Sequence, residues 1–208
     1  MAFTYFFRDA QVLETIATAV APVLRGYRYV RIWDAGCAHG PEPYSLAMML
    51  RENMSGFAFR NVNICATDID ATGQFGRIIA AGVYPEEEVR RVPEELKRKY
   101  FRSAGRPGYL QVCDEIRRRV SFRQHDLLTL VPPAAGFQIV LCKNVLLHFT
   151  PEQRVAVVRM FWESLADGGY LVFEKTQELP EETYGEFRRA ECNGQVFRKV
   201  AAACALAA

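Results

Sequence analysis

Apolar residues recur at three- and four-residue intervals through AQVLETIATAVAPVL, where Val12, Leu13, Ile16, Val20 and Leu24 fall on one stripe. The spacing predicts a helix over about 9–24, ending near Gly26. YVRIWDAG then reads as a short buried strand, PEPYSLAMMLREN as a helix, and NVNICATDID as a second strand ending in acidic residues. Strand, helix, strand is the parallel crossover unit. ATGQFGRIIAAGVY carries a third helix in spite of Gly73 and Gly76, and Pro85 breaks the chain after it.

From about 86 to 122 the pattern changes. EEEVRRVPEELKRKYF is charged and helical, SAGRPG is a turn cluster, and YLQVCDEIRRRVSFRQ holds short β-like runs, so this stretch reads as an insertion or small subdomain. The alternation resumes with FQIVLCKN as a strand and TPEQRVAVVRMFWESLADGG as a helix, capped by Thr150 with Pro151 at its first position. YLVFEK is the next strand, and Asn193–Gly194 between two strand-like runs signals a closing hairpin. The expected fold is α/β: a doubly wound, mostly parallel sheet with a terminal antiparallel hairpin, formed as a single domain over 1–208.

Composition narrows the function classes. The chain has 208 residues, 50% of them hydrophobic, and its 26 Lys and Arg against 24 Asp and Glu leave a formal charge of +2. That balance gives no footprint for nucleic acid. The basic residues Arg90, Arg91, Lys97, Arg98, Lys99 and Arg102, and then Arg117 to Arg119, read as solvated helix and turn faces. Cys37, Cys65, Cys113, Cys142, Cys192 and Cys204 are scattered without a CxxC pair, as in a reduced core. With no signal-like start and no apolar run near the roughly 18 residues of a membrane span, a cytoplasmic protein without membrane insertion is expected.

In doubly wound sheets ligands bind beyond the carboxyl ends of the strands. The first such end carries Asp34, Gly36, Ala38 and Gly40, small residues that let the chain turn sharply beside a ligand. The spacing is wrong for a GxGxxG pyrophosphate cradle, and Pro41 removes an amide where a phosphate needs one. The turn better suits a ligand with a nucleoside end and an amino-acid end. At the second end, Asp68 can accept from ribose hydroxyls, against the alternative that an Asp of ATDID caps the next helix. Asp126 beside Leu127 suits an adenine edge and face, again against a helix cap. Lys143, Asn144 and, further on, His148 close the fourth strand end, His148 reading equally as a core or an active residue.

Taken in order, FTYFFRD, IWDAGCAHGPEPYSLAM, ATDID, GVYPEEEVRRVPEELKRKYF, VSFRQHDLL, FQIVLCKNVLLHF and LADGGYLVF resemble the catalytic domain of the CheR-type methyltransferases of chemotaxis receptors. The resemblance runs from about residue 3 to 200. It implies a seven-stranded Rossmann-like class I methyltransferase sheet, a small β-subdomain at about 97–122, and S-adenosyl-L-methionine as cofactor with S-adenosyl-L-homocysteine as product. It further implies Thr4 and Arg8 as N-terminal cofactor contacts, Asp68 on the ribose, Asp126 and Leu127 at the adenine, and Lys143 with Asn144 near the reacting methyl. The acceptor it implies is a protein glutamate of a chemotaxis-type receptor.

Several positions depart from that pattern. The first of two acidic residues in the turn is Pro41, leaving Glu42; the Arg of the "RN" pair is Lys143, which keeps charge but loses the planar fork. His148 replaces a tyrosine, and Glu174 to Gln177 stand where the family shows GHSE. The small helical domain that usually precedes the catalytic domain is not found in these 208 residues. These changes leave cofactor binding in outline and alter the substrate side.

A carboxylate acceptor is ionised near neutral pH and needs no general base, which fits a sequence without a Cys/His nucleophile or metal-ligand spacing. Arg8 and Lys143 are the candidates to hold such an acceptor, while His148 or His39 would serve a hydroxyl or amine acceptor as base. Two alternatives stand beside this reading: a degenerate domain that senses the adenosyl ligand, and a methyltransferase acting on a small molecule.

Overall fold

The computed structural model describes residues 4–24, 26–190 and 195–200. Among these, ten strands occur in chain order: β1 (Val30–Ala35), β2 (Val62–Asp68), β3 (Val83–Pro85), β4 (Phe101–Ser103), β5 (Tyr109–Val112), β6 (Val120–Gln124), β7 (Phe137–Leu141), β8 (Leu165–Val172), β9 (Phe187–Arg189) and β10 (Val196–Lys199). Seven of them make one sheet in the order β6-β2-β1-β7-β8-β10-β9. Pairing is parallel from β6 through β8, and β10 runs antiparallel to both β8 and β9. This is the expected doubly wound sheet with its closing hairpin, although the Asn193–Gly194 turn lies outside the described residues.

The sheet is covered on both faces because successive side chains of a strand point opposite ways. Along β1, Val30 and Ile32 join a core with the helical segments from Ala10 to Leu24 and the helix Pro41–Asn53. Trp33 and Ala35 join the other core, with Phe137, Val157 and Phe161 under the helix Pro151–Ser164. Thr150 and Gln153 close a full capping box on that helix.

Three local differences from the sequence reading have physical causes. The first helix widens to a π-type turn at Ile16–Val20 before Pro22, whose missing N–H cannot hold a regular ladder. The small antiparallel sheet, β3-β5-β4, spans 83–112 rather than 97–122. Residues 120–124, assigned by pattern to the insertion, are instead the edge strand β6 of the main sheet, parallel to β2.

Among the described residues no helix is long and apolar enough to cross a membrane. The described cysteines Cys37, Cys65, Cys113 and Cys142 are free, with Cys37 and Cys142 buried; Cys192 and Cys204 lie outside the described residues.

Candidate functional site

Strand order reverses between β1 and β7, and a crevice at the carboxyl ends of the strands is expected there. A cavity of about 620 Å³ occupies that position. Its lining comes from the turn after β1, the ends of β2 and β6, the loop after β7, the first turn of helix Pro41–Asn53, and the strap at Thr4 and Arg8.

The turn after β1 is locked from the neighbouring strand. Gly36 and Cys37 both donate their N–H to the Thr67 carbonyl, at 2.8 and 3.0 Å. Ala38 donates to Asp68 Oδ2 at 2.9 Å, which holds a non-glycine residue at φ 48. Left-handed backbone costs an L-residue roughly 1–2 kcal/mol, and a charge-assisted hydrogen bond is of the size to offset it. The other Asp68 oxygen accepts from the Asp70 N–H at 3.1 Å.

Of the two acidic residues of ATDID, Asp70 caps a helix and Asp68 lines the cavity. Asp70 is buried and outside the cavity lining, and its carboxylate accepts from the N–H groups of Gln74 and Phe75 at the start of helix Phe75–Ala81. Asp68 faces the cavity. Asp126 does both: its side chain accepts from the Leu128 N–H at 2.9 Å, capping the short turn Leu127–Thr129, and it lines the cavity beside Leu127.

Lys143 is in the lining but turned inward, with a residue exposure of 3%. Its Nζ lies 2.8 Å from Glu42 Oε2 and 3.5 Å from Asp9 Oδ2, and donates to the Arg8 carbonyl at 2.9 Å. Burial, the largest single influence, opposes its charge, but the carboxylates around it, Glu42 foremost and then Asp9 and Asp34, together hold the ammonium above its ordinary pKa. With three acceptors around it, Lys143 ties the strap to the helix start instead of pointing at an incoming acceptor. Asn144 comes next in left-handed backbone at φ 56, its N–H received by Glu174 Oε2 at 2.9 Å.

The strap itself is pinned. Phe6 is fully buried, edge-on to Tyr84 and Phe101 with ring centroids 5.0 and 5.4 Å away, and the Phe7 N–H donates to Ser45 Oγ at 2.9 Å.

The cavity thus brings together Thr4, Arg8, Gly36, Ala38, Glu42, Asp68, Asp126, Leu127, Lys143, Asn144 and His148, eleven positions from distant parts of the chain. Gly40 and Asp34 are outside the lining. Gly40 packs under Ile79 and Tyr84, and Asp34 is buried one layer behind the turn. His39 is also outside it, with Nε2 3.0 Å from Glu88 Oε2. Burial pushes the thiols of Cys37 and Cys142 up, so neither is a thiolate nucleophile.

Sequence reasoning missed Thr67, Ile69, His125, Leu128, Val145, Leu147 and Phe149 as lining residues and Glu174 as the support of Asn144. Thr67, Ile69, His125 and Glu174 lie within two residues of a strand end on the ligand side, the signal that would have found them; the others lie further along the loops after β6 and β7, where no such signal reaches.

The donor and acceptor set fits a group with a nucleoside end and a zwitterionic amino-acid end. Asp68 and Asp126 offer acceptors beside the apolar Ile69 and Leu127; Glu42 and Arg8 offer opposite charges.

The profile of the family described as "CheR methyltransferase, SAM binding domain" matches residues 2–196. A chemotaxis protein methyltransferase of Vibrio parahaemolyticus is 33% identical over 201 residues, covering 95% of this chain and 72% of that protein. Chemotaxis protein methyltransferase 1 of Pseudomonas aeruginosa is 34% identical over 207 residues, covering 94% and 73%. The crystal structure of the DszA carbon methyltransferase shares the fold at a TM-score of 0.51 and 19% identity, covering 82% of this chain and 36% of that one.

Proposed function

Since the chain belongs to the CheR family of S-adenosylmethionine-dependent methyltransferases, we propose that it methylates a carboxylate oxygen of a protein, a glutamate side chain in a chemotaxis-type receptor. When bound, S-adenosylmethionine supplies the sulfonium methyl that is transferred. Asp68 receives the ribose hydroxyls, and Asp126 with Leu127 receives the adenine. Glu42 faces the ammonium of the amino-acid end, Thr4 and Arg8 its carboxylate.

One observation carries the acceptor reading. The cavity is closed and buried at Glu42, Lys143 and Leu127 but has an exposed rim at Leu147 and His148, with Leu147 52% exposed. A side chain offered by a large partner can reach that rim. Glutamate is ionised well below neutral pH, so alignment and exclusion of water suffice and no base is required. Lys143 is committed to Glu42, Asp9 and the strap, so it is not the cation that holds the acceptor.

The test is transfer of labelled methyl groups to a receptor cytoplasmic fragment, then treatment with mild base. Release of the label as methanol is expected, because a carboxyl methyl ester hydrolyses there. Label that survives base marks an amine or ether acceptor and overturns the glutamate assignment. Tight cofactor binding with no transfer points to a sensing domain, and label found only in small molecules of an extract points to a small-molecule enzyme.

A further inference from the structure

Three consecutive residues pin the loop after β7, and they are not held from the same side. Lys143 is tied to Glu42, Asp9 and the Arg8 carbonyl. Val145 puts a methyl group where a side chain at Gly36 would stand. Both contacts face the turn after β1 and the strap. Asn144, between them, is held from the opposite flank, by Glu174 two residues beyond β8.

Asn144 needs such support. Its φ of 56 is left-handed backbone, which residues other than glycine avoid and asparagine tolerates better than most. The Asn144 N–H donates to Glu174 Oε2 at 2.9 Å. Glu174 is 4% exposed and its own main chain is fixed. The preceding Phe173 N–H donates to the Gln195 carbonyl at 2.9 Å, and the Glu174 carbonyl accepts from the Gln177 N–H at 3.1 Å. A carboxylate shielded from water in this way is a strong and stationary acceptor. Glu174 does not line the cavity, so whatever it does there it does through Asn144. Asn144 stands in the cavity wall between the inward-turned Lys143 and the exposed rim at Leu147 and His148, on the way from the cofactor end to the acceptor entrance.

We propose that Glu174 is a positioning residue for methyl transfer: by receiving the Asn144 N–H it holds the left-handed turn that keeps Asn144 in the cavity wall beside the acceptor. This rests on the reading of the cavity as a methyl-transfer site. It gives a task to the first of the four residues, Glu174 to Gln177, at which the chain departs from the family pattern.

Two variants separate the acceptor oxygen from the charge. Glu174→Gln keeps an oxygen within reach of the Asn144 N–H and removes the charge; Glu174→Asp keeps the charge and, one methylene shorter, withdraws it from the N–H. With labelled cofactor and a receptor cytoplasmic fragment, Glu174→Asp should lower kcat by about 10–100-fold, the loss expected when a reacting group is misplaced, and Glu174→Gln should stay within about threefold. Calorimetric affinity for S-adenosylhomocysteine, which lacks the transferred methyl, should stay within about threefold in both. Equal rates for both variants, or a slower Gln than Asp, would overturn the proposal. So would a loss of S-adenosylhomocysteine affinity as large as the loss of kcat, because Glu174 would then support the whole site and not the transfer step.

A second measurement needs neither cofactor nor acceptor. Hydrogen exchange at the Asn144 amide, followed by NMR, should be slow in the unaltered protein and in Glu174→Gln and at least about tenfold faster in Glu174→Asp, where the N–H has lost its partner. Equal exchange in all three would remove the bond from the argument and the proposal with it. Exchange as expected, but no methyl transfer to the receptor fragment by the unaltered protein, would keep the bond, overturn its service to transfer and place the fault with the glutamate acceptor.

Discussion

Asp68 does two jobs with one carboxylate: Oδ2 and Oδ1 accept from the N–H groups of Ala38 and Asp70, and each oxygen keeps a lone pair for a ligand. Replacing it with alanine removes two backbone supports as well as the proposed ribose contact. Hydrogen bonds to a charged group are worth about 1.5–3 kcal/mol, so Asp68→Ala should weaken S-adenosylhomocysteine binding by about 10–100-fold. Calorimetry decides it, and an unchanged affinity would remove Asp68 from the ribose. The choice of Asp68 over Asp70 was open to sequence reasoning because Asp68 is the last residue of its strand. The inward turn of Lys143 was not, since its partners Asp9 and Glu42 are remote in sequence and only the fold shows that they converge on one ammonium.

The turn from β1 into helix Pro41–Asn53 illustrates how an element can be constrained by packing where a ligand contact was expected. At Gly40 the backbone has φ +106, and a Cβ would lie 2.6 Å from Ile79 Cγ1 and 2.7 Å from Tyr84 Oη. Gly40→Ala combines about 1–3 kcal/mol of backbone strain with about 1–3 kcal/mol of overpacking. Gly73→Ala, at φ +65 with open space around it, suffers only the strain. Denaturant midpoints should therefore fall distinctly further for Gly40→Ala, and equal losses would show that the Ile79–Tyr84 contact yields freely. Strands with two buried faces announce themselves: every residue of β7, FQIVL, is buried, and its apolar run is plain in the sequence. β6, VSFRQ, is an edge strand with no fully buried residue and hence little apolar pattern, and β3 has only three residues, which is why the small sheet was misplaced.

At the scale of the molecule, the cavity is walled by parts remote from one another in sequence: the strap pinned by Phe6 to the small sheet, the ends of β1 and β2 with the segment after β6 on one side of the switch point, and the loop after β7 on the other. A sequence names the strand ends, but which side chains share one volume depends on the β6-β2-β1-β7 order and the twist of the sheet. A ligand that bridges these parts stabilises them together. At a concentration 100-fold above its Kd it adds about 2.7 kcal/mol, and for a domain of this size each kcal/mol raises Tm by about 2–4 °C. S-adenosylhomocysteine should thus raise Tm by about 5–10 °C. Methylthioadenosine at the same concentration, lacking the amino-acid end, forgoes Glu42 and Arg8 and should raise it much less. NAD, whose pyrophosphate finds Pro41 in place of an amide, should leave Tm unchanged. Thermal-shift curves with the three ligands separate the possibilities. Equal shifts for methylthioadenosine and S-adenosylhomocysteine would mean that the strap and Glu42 take no part in binding, and a shift with NAD would mean that the turn after β1 accepts phosphate after all.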